Sequence, residues 1–121
     1  MTAETNDKRR KFKRHALPQP VKVVNSANSE PLGTVVNMSQ DGLLIAGRQA
    51  LEVDHLYQLE LQFSEPFMGI NHIKIGVDCL WNDAAQEGHL YWSGCHMIDY
   101  SPQDAEIIKE MLSFLEEGIH Q

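Results

Sequence analysis

Two stretches in the middle of the chain alternate with a period of two. Tyr57, Leu59, Leu61 and Phe63 are interleaved with Gln58, Glu60 and Gln62, and Ile73, Ile75, Val77, Cys79 and Trp81 with His72, Lys74, Gly76, Asp78 and Leu80. An apolar residue at every second position forms one face of a strand and would be scattered around a helix. These runs therefore predict long strands with one face on a core and the other toward water. Shorter β-rich pieces surround them. Val21 to Val24 predicts a strand that breaks at the turn-rich loop of residues 25–31, and Thr34 to Val36 a second. Leu43 to Ala46 predicts a third, with residues 37–42 turning before it, and Leu90 to Ile98 a less regular last strand after a turn at 84–88. Pro18 and Pro20 exclude helix ahead of the first strand.

Only the end of the chain changes period. Ser101 is placed as an N-cap with Pro102 at the first helical position and Asp104 three residues past the cap. Ile107, Ile108, Met111, Leu112, Phe114 and Leu115 then make an apolar stripe, and Gly118 is a stop signal. Six strands followed by one helix predict an all-β fold, a six-stranded antiparallel β-barrel that closes to hide its edges, with the helix laid against it. Strand and helix never alternate, which argues against a parallel nucleotide-binding sheet. On its alternating strand Trp81 is expected in the core, and Trp92 in the core or, less simply, as a stacking platform.

Charge divides this single-domain chain of 121 residues in two. Six of its ten Lys and Arg residues fall at Lys8, Arg9, Arg10, Lys11, Lys13 and Arg14. From His15 onward 15 acidic residues face four basic ones, a net charge of −11. A body this acidic repels a long polyanion, whereas the basic segment suits a small anionic ligand. No nucleic-acid polymer is expected, and the strands lack a cluster of surface aromatics for stacking its bases.

Catalytic and metal signatures do not assemble. Cys79 and Cys95 have no metal-motif spacing and read as buried free thiols, and the six histidines are scattered. No nucleophile elbow and no phosphate-binding glycine loop occur. The start of the chain shows no secretory pattern and no run is long enough to span a bilayer, so no membrane insertion and a cytoplasmic location are expected. The expectation is a binding protein rather than an enzyme, with no cofactor and no metal.

Two segments are suited to ligand chemistry. Arg10 and Arg14, in RRKFKRH, present guanidinium groups whose paired donors suit phosphate oxygens or the O6/N7 edge of guanine. Asn37 and Ser39, in NMSQDG, offer the donors and acceptors that read a base edge, and Gly42 permits a close turn. Alone, the first is an ordinary charge run and the second an ordinary hairpin turn.

Together and in this order, Arg10-x-x-x-Arg14 and Asn37-x-Ser39-x-x-Gly42 are the RxxxR and [D/N]xSxxG motifs, and the chain resembles the PilZ family over residues 9 to about 117. The resemblance includes the six strands, the glycine-bearing last strand WSGCHMIDYS and the closing helix. It implies a receptor for cyclic di-GMP, with Arg10 and Arg14 on phosphates and guanine, Asn37 and Ser39 on guanine, and Gly42 shaping the turn. Arg9, just ahead of RxxxR, implies a stacked pair of ligand molecules. Asn37 stands where many relatives carry Asp, and as a neutral group it makes weaker bonds to guanine N–H donors. The division expected is a disordered N-terminus at 1–7, a PilZ domain at 8–117 and a tail at 118–121. Within the domain, 8–17 is a flexible ligand-binding segment, 18–99 the barrel and 102–117 the helix. The expected mechanism is that ligand orders residues 8–14 and the changed surface regulates a partner protein, with motility, polysaccharide or biofilm as outputs. A ligand-independent protein-interaction domain and a nucleic-acid-binding barrel with a basic arm are the alternatives.

Overall fold

The computed structural model describes residues 15–17, 19–84 and 89–119, without the side chains of His15 and of residues 115–119. Arg9, Arg10 and Arg14 lie outside the described residues. The elements are β1 (His15–Ala16), β2 (Val21–Asn25), β3 (Glu30–Met38), β4 (Gly42–Gly47), β5 (Leu56–Phe67), β6 (Ile70–Ala84), β7 (Tyr91–Tyr100) and α1 (Pro102–Ile119). Every pairing is antiparallel. The order β3-β2-β5-β6-β7-β4 closes through β3–β4 into a six-stranded barrel, and β1 adds a short seventh strand on β3.

The barrel interior follows from the alternation. Leu59 and Leu61 of β5 point inward with Ile73, Ile75, Val77 and Cys79 of β6, all essentially inaccessible to water. Val21, Val23, Leu43, Ile45, Cys95 and Met97 complete the filling. Burying a side chain of this size contributes about 1.5–3 kcal/mol, so this row of residues dominates the stability. Cys79 and Cys95 are direct cross-strand partners, both as buried thiols outside any disulfide. Burial pushes the Cys79 thiol above its ordinary value, with its hydrogen bond to Cys95 acting in the opposite direction. Neither thiol is exposed enough for ready chemistry.

Three features differ from the sequence reading. The β5–β6 hairpin continues past Phe63 to a two-residue turn at Met68-Gly69, where φ is 54° and 76°. Two positive φ values match the right-handed twist of the flanking strands. Pro66 hid this extension, because proline in a run argues against a strand except at edges and bulges. Secondly, α1 passes through Gly118 to Ile119 instead of stopping at 117. Thirdly, Trp81 and Trp92 are not in the core, and both are over two-fifths exposed. The register shifts between Cys79 and Trp81, so Leu80 is an extra residue opposite β7. That bulge reverses the alternation and turns Trp81 outward.

The start of α1 matches its sequence signals. Ser101 Oγ accepts the Asp104 N–H at 3.0 Å, and the Ser101 carbonyl accepts the Ala105 N–H at 2.9 Å. Asp104 does not reach back to the cap; its carboxylate accepts the Lys74 N–H at 3.2 Å, tying the helix to β6. Ile107, Ile108, Met111 and Leu112 are buried against the barrel. Ser101→Ala should therefore cost about 1 kcal/mol, read as a lower midpoint in urea with an unchanged slope.

Candidate functional site

The second motif lies where β3 turns into β4. Its geometry begins with a bulge: Val35 pairs with Ile45 but Asn37 pairs with Leu44, leaving Val36 as the extra residue. Val35 and Met38 both face the core, so the bulge turns Asn37 to the outer surface, where it is half-buried. Without it, strict alternation would aim Asn37 inward. Asn37 is thus a strand residue rather than part of the turn that the sequence predicts.

Ser39 is fully buried. Its hydroxyl donates to Asp41 Oδ1 at 2.7 Å and lies 3.4 Å from the Gly42 carbonyl, while its N–H donates to that carbonyl at 2.8 Å. Asp41 in turn uses its own carbonyl to accept the Met97 N–H at 2.8 Å. Ser39 therefore fixes the shape of the turn and holds a carboxylate beside it. Gly42 is paired to His96 of β7.

β1 supplies the link to the first motif. His15 pairs with Met38 and Ala16 with Asn37. Arg14 is covalently bound to His15, so its Cα lies about 3.8 Å from a residue paired to the second motif. Arg10 is five residues from His15, a reach of at most about 18 Å. The chain directly after the first motif is thereby paired with the second motif, at one edge of the barrel.

A row of outward positions crosses the barrel from that edge. Asn37 is opposite Leu44, Leu44 opposite Gly94, and Gly94 opposite Trp81. A Cβ on Gly94 would lie 2.3 Å from Cε2 and Nε1 of Trp81. The indole therefore lies directly on the β7 backbone, and only a glycine leaves room for it. With one side packed on the strand and 43% of its surface exposed, Trp81 presents an aromatic surface beside the motif. The sequence contained the signal, a glycine cross-strand from a tryptophan, but the bulge at Leu80 concealed the register.

The helix adjoins both halves of this edge. A cleft of about 200 Å³ sets Gln40 of the motif turn against Ala105, Ile108 and Lys109 of α1. A second of about 220 Å³ sets Leu17, just after β1, against Met111 and Phe114, where Phe114 meets Phe67 edge to face at 6.4 Å. A larger cleft of about 710 Å³ opens at the opposite end of β3 and β4, around Glu30, Gly33, Arg48 and Tyr57, away from Asn37, Ser39 and Gly42. Among the described residues no helix is long and apolar enough to cross a membrane, and no group of three His, Cys, Asp or Glu side chains is placed to hold a metal.

Comparison with solved structures returns the same architecture. Escherichia coli YcgR in complex with c-di-GMP is similar over 93% of this chain and 48% of its own, with a TM-score of 0.72 and 14% identity. The Klebsiella pneumoniae MrkH–c-di-GMP complex is similar over 93% and 55%, with a TM-score of 0.71 and 17% identity. The isolated PilZ domain of YcgR with c-di-GMP is similar over 92% and 94%, with a TM-score of 0.64 and 13% identity. The chain thus spans about half the length of YcgR and MrkH and nearly all of the isolated domain. No curated protein matches it in sequence. The sequence profile of the PilZ domain, in contrast, matches residues 8–114, from the basic segment through the barrel and into the helix, and the chain belongs to the PilZ domain family.

Proposed function

We propose that this protein is a cyclic di-GMP receptor in which residues 8–14 close over a ligand seated on the outer face between Asn37 and Trp81. The observation that supports this reading is the pairing of His15–Ala16, the residues directly after RxxxR, with Asn37–Met38. Guanidinium groups from Arg10 and Arg14 take the phosphates, and Asn37 takes a guanine edge. Ser39 acts by holding the turn and Asp41, and Gly42 keeps the floor low. Trp81 offers a stacking surface that tolerates any planar base. Solved complexes of YcgR and MrkH with c-di-GMP support the choice of ligand.

Six cations in seven residues repel one another, and a ligand that neutralises them favours an ordered segment. Both Gln40 and Leu17 adjoin α1, so ordering would be felt by the helix, where a partner protein can read it. Arg9 gives the segment a third guanidinium, which suits a stacked pair of ligand molecules.

Fluorescence titration tests the seat of the ligand. Adding cyclic di-GMP should change Trp emission saturably, and Trp81→Ala should remove most of that change and weaken binding about tenfold. An unchanged response and affinity in Trp81→Ala would place the ligand elsewhere.

A further inference from the structure

We propose that His96 is a phosphate-contacting residue of this site, and that it makes ligand affinity rise as pH falls; the inference rests on the cyclic di-GMP reading above. His96 is exposed between the inward-facing Cys95 and Met97, so it stands on the same outer face as Asn37, Gly94 and Trp81. Its cross-strand partner on β4 is Gly42, the last residue of the motif, and on β6 it is Asp78. Directly opposed outward side chains lie about 5 Å apart. Because Gly42 has no side chain, nothing on β4 stands between the imidazole and a ligand held at the motif turn.

Charge gives the position its consequence. Of the outward residues paired across β3, β4, β7 and β6 here, namely Asn37, Leu44, Gly42, Gly94, Trp81, His96 and Asp78, only His96 can become positive. Its neighbours on both sides are acidic: Asp78 is its partner on β6, and Asp41, next to its β4 partner Gly42, has its carbonyl bonded to the next residue on β7 and its carboxylate bonded to Ser39. β4 contributes no charge at Gly42, and Lys109 of α1 lines the cleft beside Gln40. A phosphodiester dianion placed against two carboxylates is repelled, and a protonated imidazole between Asp78 and the ligand offsets that repulsion while donating to a phosphate oxygen. Histidine changes charge between about pH 8 and pH 5, whereas carboxylates do so lower. The anion favours the charged imidazole, so binding tightens as the proton is taken up.

The test is calorimetric titration of the full chain with cyclic di-GMP between about pH 8 and pH 6. Wild type should tighten about tenfold on acidification. His96→Gln should stay at the weak, high-pH affinity throughout, and His96→Lys, with a fixed charge, should bind at pH 8 nearly as tightly as wild type does at pH 6. His15→Gln is the control for the histidine beside Arg14 and should keep the wild-type pH response. If His96→Gln gains affinity as wild type does, or if the response disappears in His15→Gln instead, the assignment is overturned while the receptor reading stands. If wild type does not bind at any pH, both fall.

Discussion

Arg14→Ala should weaken cyclic di-GMP binding about ten- to a hundredfold, and Arg10→Ala by a similar factor. A hydrogen bond to a charged group is worth about 1.5–3 kcal/mol, and each 1.4 kcal/mol is tenfold in affinity. Arg14 should be the less tolerant position, because it directly precedes His15, which pairs with Met38 inside the NxSxxG motif. Arg14→Lys should recover only part of the loss, since an ammonium lacks the planar fork that grips two oxygens. Lys8, Lys11 and Lys13 are expected to add general attraction for the anion. Removing any one of them should mainly flatten the salt dependence of binding and cost little affinity. Parallel calorimetry of these variants separates the two classes, and equal losses at the lysines and the arginines would dissolve the proposed division of roles.

The second large effect concerns the fold that holds the site. At the end of β3 and β4 away from the motif, the two backbones nearly touch. A Cβ on Gly47 would lie 2.0 Å from the carbonyl oxygen of Leu32, and one on Gly33 would lie 2.1 Å from that of Ala46. Backbone cannot swing aside as a side-chain tip can, so Gly47→Ala must push the strands apart. Overpacking of this kind costs about 1–3 kcal/mol, and Gly33→Ala adds strain because φ there is 145°. Thermal denaturation should show Gly47→Ala melting about 5–12 °C below wild type. Since β3–β4 is the seam that closes the barrel, loosening it should also weaken ligand binding through Asn37. An unchanged melting temperature would mean that the seam is less tight than described.

The reach of sequence reasoning here can be traced residue by residue. The period-two runs of β5 and β6 identified the inward faces correctly at Leu59, Leu61, Ile73, Ile75, Val77 and Cys79, because burial on one face leaves a direct mark on composition. The closed barrel and the capped helix followed from strand count and from Ser101-Pro102. The bulges were hidden. An extra residue at Val36 turns Asn37 outward and another at Leu80 turns Trp81 outward, and neither has a compositional signature, since a bulge is set by the partner strand. The motif residues are recognisable as types, but the local pattern does not show that Ser39 is fully buried with its hydroxyl on Asp41. The row from Asn37 through Gly94 to Trp81 required the register of four strands, which no local pattern contains.

If RxxxR and NxSxxG form one site for cyclic di-GMP, the two motifs must bind it jointly. Calorimetric titration of the wild-type chain with cyclic di-GMP tests it most directly, because one experiment gives both affinity and ligand ratio. Binding should be saturable and should be lost or greatly weakened in the Arg10→Ala, Arg14→Ala double variant, with two ligand molecules per chain falling toward one in Arg9→Ala. No saturable heat from a folded wild-type chain, or equal affinity in the double variant, would contradict it.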